Sequence, residues 1–90
     1  MFAKGLPPKA LSDPAIRKVK PTEKSQRLFD GGGLYLEVSP AGGKWWRLKY
    51  HFAGKERRIS LGVYPDVGLK EARDRRDEAR KLLADGIDPS

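Results

Sequence analysis

The feature that most constrains this 90-residue chain is an alternation of apolar and polar side chains with period two through its middle. Leu34-Tyr-Leu-Glu-Val38 shows it, and so does Lys44-Trp-Trp-Arg-Leu-Lys-Tyr-His-Phe52. That period belongs to a strand with one face buried. Gly31-Gly32-Gly33 precedes the first run, Ser39-Pro-Ala-Gly-Gly43 separates the two, and Ala53-Gly54 follows the second. Glycine supplies the positive φ angles of tight turns between antiparallel strands. Glu56–Leu61 reads as a third main strand, and Arg27–Asp30 as a short leading one. The expectation is an antiparallel meander of three to four strands.

Helical signals flank the meander. Leu11–Val19 reads as a short helix, with Ser12 or Asp13 capping its free N–H groups and Pro14 in the first turn. Lys20-Pro21 ends it. From Leu69 to Asp85, Leu69, Ala72, Ala79, Leu82 and Leu83 fall on one stripe at helical spacing. Gly86 and Ile87 supply a left-handed C-terminal cap, with Pro89 beyond it. Lys70/Asp74, Glu71/Arg75 and Asp77/Lys81 are opposite charges four residues apart on the solvated face. Arg76 interrupts the stripe, and its stem is expected to pack while its head stays in water. The fold class is therefore α+β, with the sheet packed on one face by the C-terminal helix and a short helix at the N-terminus.

With no cysteine and one histidine, His51, the chain offers neither a disulfide nor a thiolate or multi-histidine metal site, so no metal or cofactor is expected. No segment has the apolar length to span a bilayer, and prolines interrupt the start where a signal peptide would be apolar. The chain reads as soluble and intracellular, with no membrane partner. Its net charge of +7 favours an anionic one. Residues 1–25 carry six Lys/Arg against two acidic groups, whereas residues 69–90 carry six of each. The arginine-rich C-terminal helix thus adds no excess, and the partner-facing charge lies in the N-terminal and middle parts. Residues 1–10, with Pro7-Pro8 and no apolar periodicity, read as a flexible arm or as an extension foreign to the domain.

Alternation sorts the sheet into two faces. Leu34, Leu36, Val38, Trp46, Leu48, Tyr50, Phe52, Ile59 and Leu61 share the one that packs on the helix. The other carries Tyr35, Glu37, Trp45, Arg47, Lys49, His51, Glu56, Arg58 and Ser60, a polar, net-positive surface with aromatics. Lysine and arginine on strands also deter edge aggregation, and exposed sheet faces are polar in any soluble protein. Double-stranded DNA nonetheless suits this surface: residues two apart on a strand stand about 7 Å from one another, near the spacing of successive phosphates, and arginine or lysine can also reach guanine O6 and N7. Tyr35, Arg47, Lys49, His51, Arg58 and Ser60 are the candidate DNA-contacting residues. A bulge near Gly42-Gly43 or Gly54 would exchange them with their neighbours. An RNA-stacking platform is disfavoured, because Tyr35 and Trp45 offer too few bases a seat.

Several runs together resemble a known family: Leu11-Ser-Asp-Pro-Ala-Ile-Arg17, Lys20-Pro21, Asp30-Gly-Gly-Gly-Leu-Tyr-Leu-Glu-Val38, Gly43-Lys-Trp-Trp-Arg47, Gly54-Lys55, Leu61-Gly-Val-Tyr-Pro65, Glu71-Ala-Arg73 and Gly86-Ile-Asp-Pro89. In this order they are similar to the N-terminal domain of prophage (P4-type) tyrosine integrases, over residues 11–90. The resemblance implies a non-catalytic, arm-type DNA-binding domain of a site-specific recombinase in the bacterial cytoplasm, with cutting and rejoining by a downstream catalytic domain. It further implies a sheet face that enters the major groove, with Arg47, Lys49 and Arg58 as contacts by position, in a protein of DNA recombination and viral genome integration. Other integrase subunits or accessory DNA-bending proteins are possible partners, and a protein-interaction role in integrase assembly is the alternative reading. By the same resemblance no residue here is catalytic: Tyr35, Tyr50 and Tyr64 serve packing, with Tyr64-Pro65 as a loop anchor. Three positions depart from the pattern. Gly68 stands where a helix-capping serine is usual, Ala53 where an asparagine precedes Gly54, and Arg76 where a small apolar residue is common.

Overall fold

The period-two runs form strands where they are expected. The computed structural model describes residues 10–90, in the order α1 (Asp13–Lys18), β1 (Gln26–Gly31), β2 (Leu34–Val38), β3 (Lys44–Phe52), β4 (Lys55–Val63) and α2 (Leu69–Ala84). Apart from Ala10, the arm expected over residues 1–10 lies outside the described residues. The four strands make one antiparallel sheet in the order β1-β2-β3-β4, so the leading strand is a full member. Among the described residues no helix is long and apolar enough to cross a membrane.

One face of the sheet and one stripe of α2 make the core. Leu34, Leu36, Val38, Trp46, Leu48 and Tyr50 are buried there with Leu61, and Ala72, Ala79 and Leu69 face them from α2. Leu83 packs at the margin, but Leu82, expected in the stripe, is exposed. Trp46 anchors the β4–α2 connection by donating its indole N–H to the Val67 carbonyl at 2.7 Å. Ile16 drops from α1 into the same core, and the Lys44 ammonium accompanies it, donating to the Ile16 carbonyl at 3.0 Å. Ser12 caps α1 as expected, and α2 starts at Gly68 with no side-chain cap. At its end, Gly86 N–H donates to the Leu83 carbonyl and Ile87 N–H to that of Leu82, with Gly86 at φ 78°. This is the Schellman closure that the sequence foretells.

The strands stay in phase through Gly42-Gly43 and Gly54. Two irregularities fall elsewhere. Trp46 pairs with Gly62 but Arg47 with Ser60, so Leu61 is an extra residue in β4, and Val63 is set opposite Trp45 on the second face. Phe29 pairs with Tyr35 but Gly31 with Leu34, which leaves Asp30 as the extra residue of β1. Gly33 allows the following strands to close. Lys49 N–H donates to its carbonyl at 2.8 Å, and a Cβ there would collide with the Lys49 carbonyl oxygen.

The bulge at Asp30 creates the principal polar cluster of the interior. Asp30 is 1% exposed, and its carboxylate accepts from Arg73 Nε at 2.9 Å and Nη2 at 2.8 Å, from Arg76 Nη1 at 3.1 Å and from Leu11 N–H at 2.8 Å. Arg73 also donates to the Leu11 carbonyl and Arg76 to that of Gly31. Burial pushes this carboxyl upward, but the Arg73 and Leu11 hydrogen bonds, with the charges of Arg73 and Arg76, outweigh that and hold it below the ordinary value. The expectation that the head of Arg76 lies in water is thus corrected: a buried carboxylate needs its donors. Arg76 also takes Asp77, which leaves the expected Asp77/Lys81 pair unformed, whereas Lys70–Asp74 and Arg75–Glu71 do form.

Candidate nucleic-acid interface

The register brings all six sequence-derived candidates to one face. Tyr35 stands opposite Arg47, which stands opposite Ser60; Lys49 stands opposite Arg58, and His51 opposite Glu56. Glu37 and Trp45 complete the neighbouring row. Arg27 and Phe29 of β1 extend the rows, because they pair with Glu37 and Tyr35. They were missed because a four-residue lead-in shows too little alternation to fix its phase.

Depth separates these residues. Lys49, His51, Arg58 and Ser60 are exposed. Tyr35 is only 1% exposed, which corrects its expected place on an open surface. The Phe29 ring lies 5.3 Å from it, centroid to centroid, and the Arg27 guanidinium 5.6 Å from its centroid. Tyr35 is thus roofed by its β1 neighbours, and its hydroxyl has no hydrogen-bond partner. Phe29, 54% exposed, is the apolar group presented to solvent in its stead. Trp45 is half-buried.

Three cations of this face, Arg47, Lys49 and Arg58, have carboxylate neighbours. Arg47 Nε lies 2.8 Å from Glu37 Oε1, an ion pair in which the N–H is not aligned as a hydrogen bond. Glu56 sits between Lys49 and Arg58, 3.7 Å from each. Arg27, Arg47, Lys49 and Arg58 therefore outnumber Glu37 and Glu56. The Glu56 pairs are exposed and contribute little to stability, typically under about 1 kcal/mol, so Lys49 and Arg58 remain available to a ligand, while the Arg47–Glu37 pair is partly buried.

The strands differ in reach. β2 pairs with β3 only over Lys44–Leu48, and the Gly33 carbonyl takes the next β3 N–H, that of Lys49, so Tyr50–Phe52 of β3 and Lys55–Arg57 of β4 continue as a two-stranded ribbon. His51 and Glu56 lie on one side of that ribbon, with Lys49 and Arg58 at its root. On its other side, Arg57 and Tyr50 hold Asp88. Tyr50 donates to Asp88 Oδ1 at 2.6 Å, and Arg57 Nε lies 3.6 Å from Oδ2. The hydrogen bond from Tyr50 is the main reason the Asp88 carboxyl lies below its ordinary value, and it pushes the Tyr50 phenol up. Among the described residues no group of acidic and histidine side chains could hold a metal ion.

Comparison with known proteins supplies the context. Residues 11–90 match the family model described as "Arm DNA-binding domain". Among curated proteins, the chain is 53% identical over 76 residues to the integrase of Enterobacteria phage P4, covering 82% of this chain and 17% of that protein. It is 50% identical over 74 residues to the integrase of Shigella phage Sf6 and, equally, to the prophage integrase IntS of Escherichia coli K12, covering 82% of this chain and 19% of each. The chain thus spans less than a fifth of the length of these relatives. With a match over nearly all its residues, the chain belongs to the arm DNA-binding domain family.

Proposed function

We propose that this domain binds arm-type DNA sites for a phage or prophage integrase, with the charged sheet face entering the major groove. The observation that carries the reading is the gathering of Arg47, Lys49 and Arg58 on one exposed face of a chain in an arm DNA-binding family. Width favours the β3–β4 ribbon as the leading part. Four strands span roughly 14 Å between outer axes, more than the roughly 12 Å groove, whereas a two-stranded ribbon enters it. Lys49, His51 and Arg58 would then lie nearest the base edges, with Arg47 and Ser60 one row behind. Tyr35 would support Phe29 and Arg47 from below rather than touch DNA. Basic residues of the N-terminal part, in net excess, would neutralise phosphates. Strand cleavage and rejoining belong in this reading to other parts of the integrase. Joined to them, the domain would let one protein hold two DNA sites.

Titration of labelled arm-site and scrambled duplexes at several salt concentrations tests the reading. With about five phosphates contacted, affinity is expected to fall roughly 500-fold between about 50 and 200 mM salt. Arg47→Ala and Arg58→Ala are each expected to weaken the arm site about tenfold or more, and the scrambled duplex less. A flat salt response overturns DNA binding; equal affinity for both duplexes overturns site recognition alone. Exposed Leu82 and Ile87 at the end of α2 favour a second reading, docking of another integrase subunit. That reading predicts concentration-dependent association without DNA, unaffected by Arg47→Ala.

A further inference from the structure

We infer that Glu37 and Glu56 set the sequence discrimination of this face, by positioning its cations and by opposing phosphate in every other register. The inference rests on the DNA-binding reading above and concerns two residues outside the predicted contact set. Here Arg47 meets Glu37 at 2.8 Å, and Lys49 and Arg58 share Glu56 at 3.7 Å. The carboxylates reach these cations from β2 and from β4 itself, so the pairing spans β2, β3 and β4.

Two consequences follow from the geometry. Glu37 engages Arg47 through Nε, on the inner side of the guanidinium, and the outer Nη groups are the ones that address guanine O6 and N7 in a bidentate contact. An arginine held this way reaches the groove with less rotamer freedom left to lose. Secondly, an acidic group among the cations repels a phosphate that comes to lie against it. The penalty is felt in the many displaced registers of non-specific binding and avoided in the one where the carboxylates face base edges, where a cytosine N4 amino group can also donate to them. Neither effect is a large contribution to folding, since the Glu56 pairs are exposed and the Arg47–Glu37 pair is partly so.

The test uses the whole domain, with Glu37→Gln and Glu56→Gln measured against a cognate duplex, a scrambled duplex and a set of single-base variants of the cognate site. Each substitution is expected to tighten the scrambled duplex about two- to fivefold and to weaken the cognate one about threefold, so that the affinity ratio falls roughly tenfold. Glu37→Gln is further expected to flatten the preference at the base position that Arg47→Ala flattens, and Glu37→Asp to restore part of it. Equal tightening of both duplexes would make the carboxylates simple charge screens and overturn the inference, as would a ratio unchanged within twofold. A wild-type domain with no preference for any duplex would instead overturn the parent reading.

Discussion

Arg73 and Arg47 each have a carboxylate oxygen at 2.8 Å, yet they belong to different kinds of site. The partner of Arg73 is Asp30, whose side chain is fully buried and also meets Arg76 and the Leu11 N–H. The partner of Arg47 is Glu37, with side-chain exposures of 36% for the arginine and 23% for the acid. Around Asp30 every oxygen is used, the pairing is fixed and no cation is left for a ligand. On the sheet face the contacts are single and partly wet, so they can be exchanged for base edges or phosphates. The length of an ion pair is therefore no guide to its role. Both regions set acids against a larger number of cations; burial decides which of them holds the molecule together and which meets a partner.

The largest expected effect breaks the buried region. Asp30→Ala leaves Arg73 and Arg76 without their acceptor and frees Leu11, and is expected to cost about 3 kcal/mol in urea unfolding. Arg47→Ala, by contrast, is expected to cost under about 0.5 kcal/mol while impairing DNA binding. Acid sharpens the same contrast. Because the Asp30 carboxyl titrates below its ordinary value of 3.8 in the folded chain, the stability it confers is present above that pH and is lost as pH falls through its lowered value. Unfolding midpoints measured downward from about pH 5 are expected to drop for the wild type and to drop less for Asp30→Asn, the part due to Asp88 remaining. The smallest effect lies at the ribbon tip. Ala53 adopts φ 54° beside Gly54 at φ 80°, a left-handed conformation that disfavours alanine. Ala53→Gly or Ala53→Asn is expected to add about 0.5–1 kcal/mol to stability and to leave the scrambled-duplex affinity unchanged.

The sheet face was legible because side is a property of alternation. Arg47 and Lys49, two residues apart in β3, had to point the same way, and no bulge intervened between them. Depth is not a property of alternation. Nothing in Leu34-Tyr-Leu shows that Tyr35 sinks beneath Phe29, because that depends on which β1 residue is drawn opposite it. The Asp30 cluster was hidden for a similar reason. Its partners lie 43 and 46 residues away, and only the packing of α2 against the first hairpin brings them to one carboxylate. Pairs four apart on α2 were visible in the sequence, and two of the three form; the third is lost because Asp77 turns to its neighbour Arg76. The C-terminal cap was legible in full, since caps depend on a few consecutive residues, whereas Gly68 and Ala53 stood out only against the family pattern.

Trp45 and Trp46 are neighbours in sequence but look out on opposite sides of the sheet, one half-buried on the charged face and the other sealed in the core with its indole N–H on Val67. The protein therefore carries two optical probes of separate events. Quenching or a spectral shift of Trp45 would register a ligand arriving on the sheet, while the emission of Trp46 would hold until the fold itself gives way. With Trp45→Phe and Trp46→Phe variants, occupancy and unfolding become separately readable without any added label.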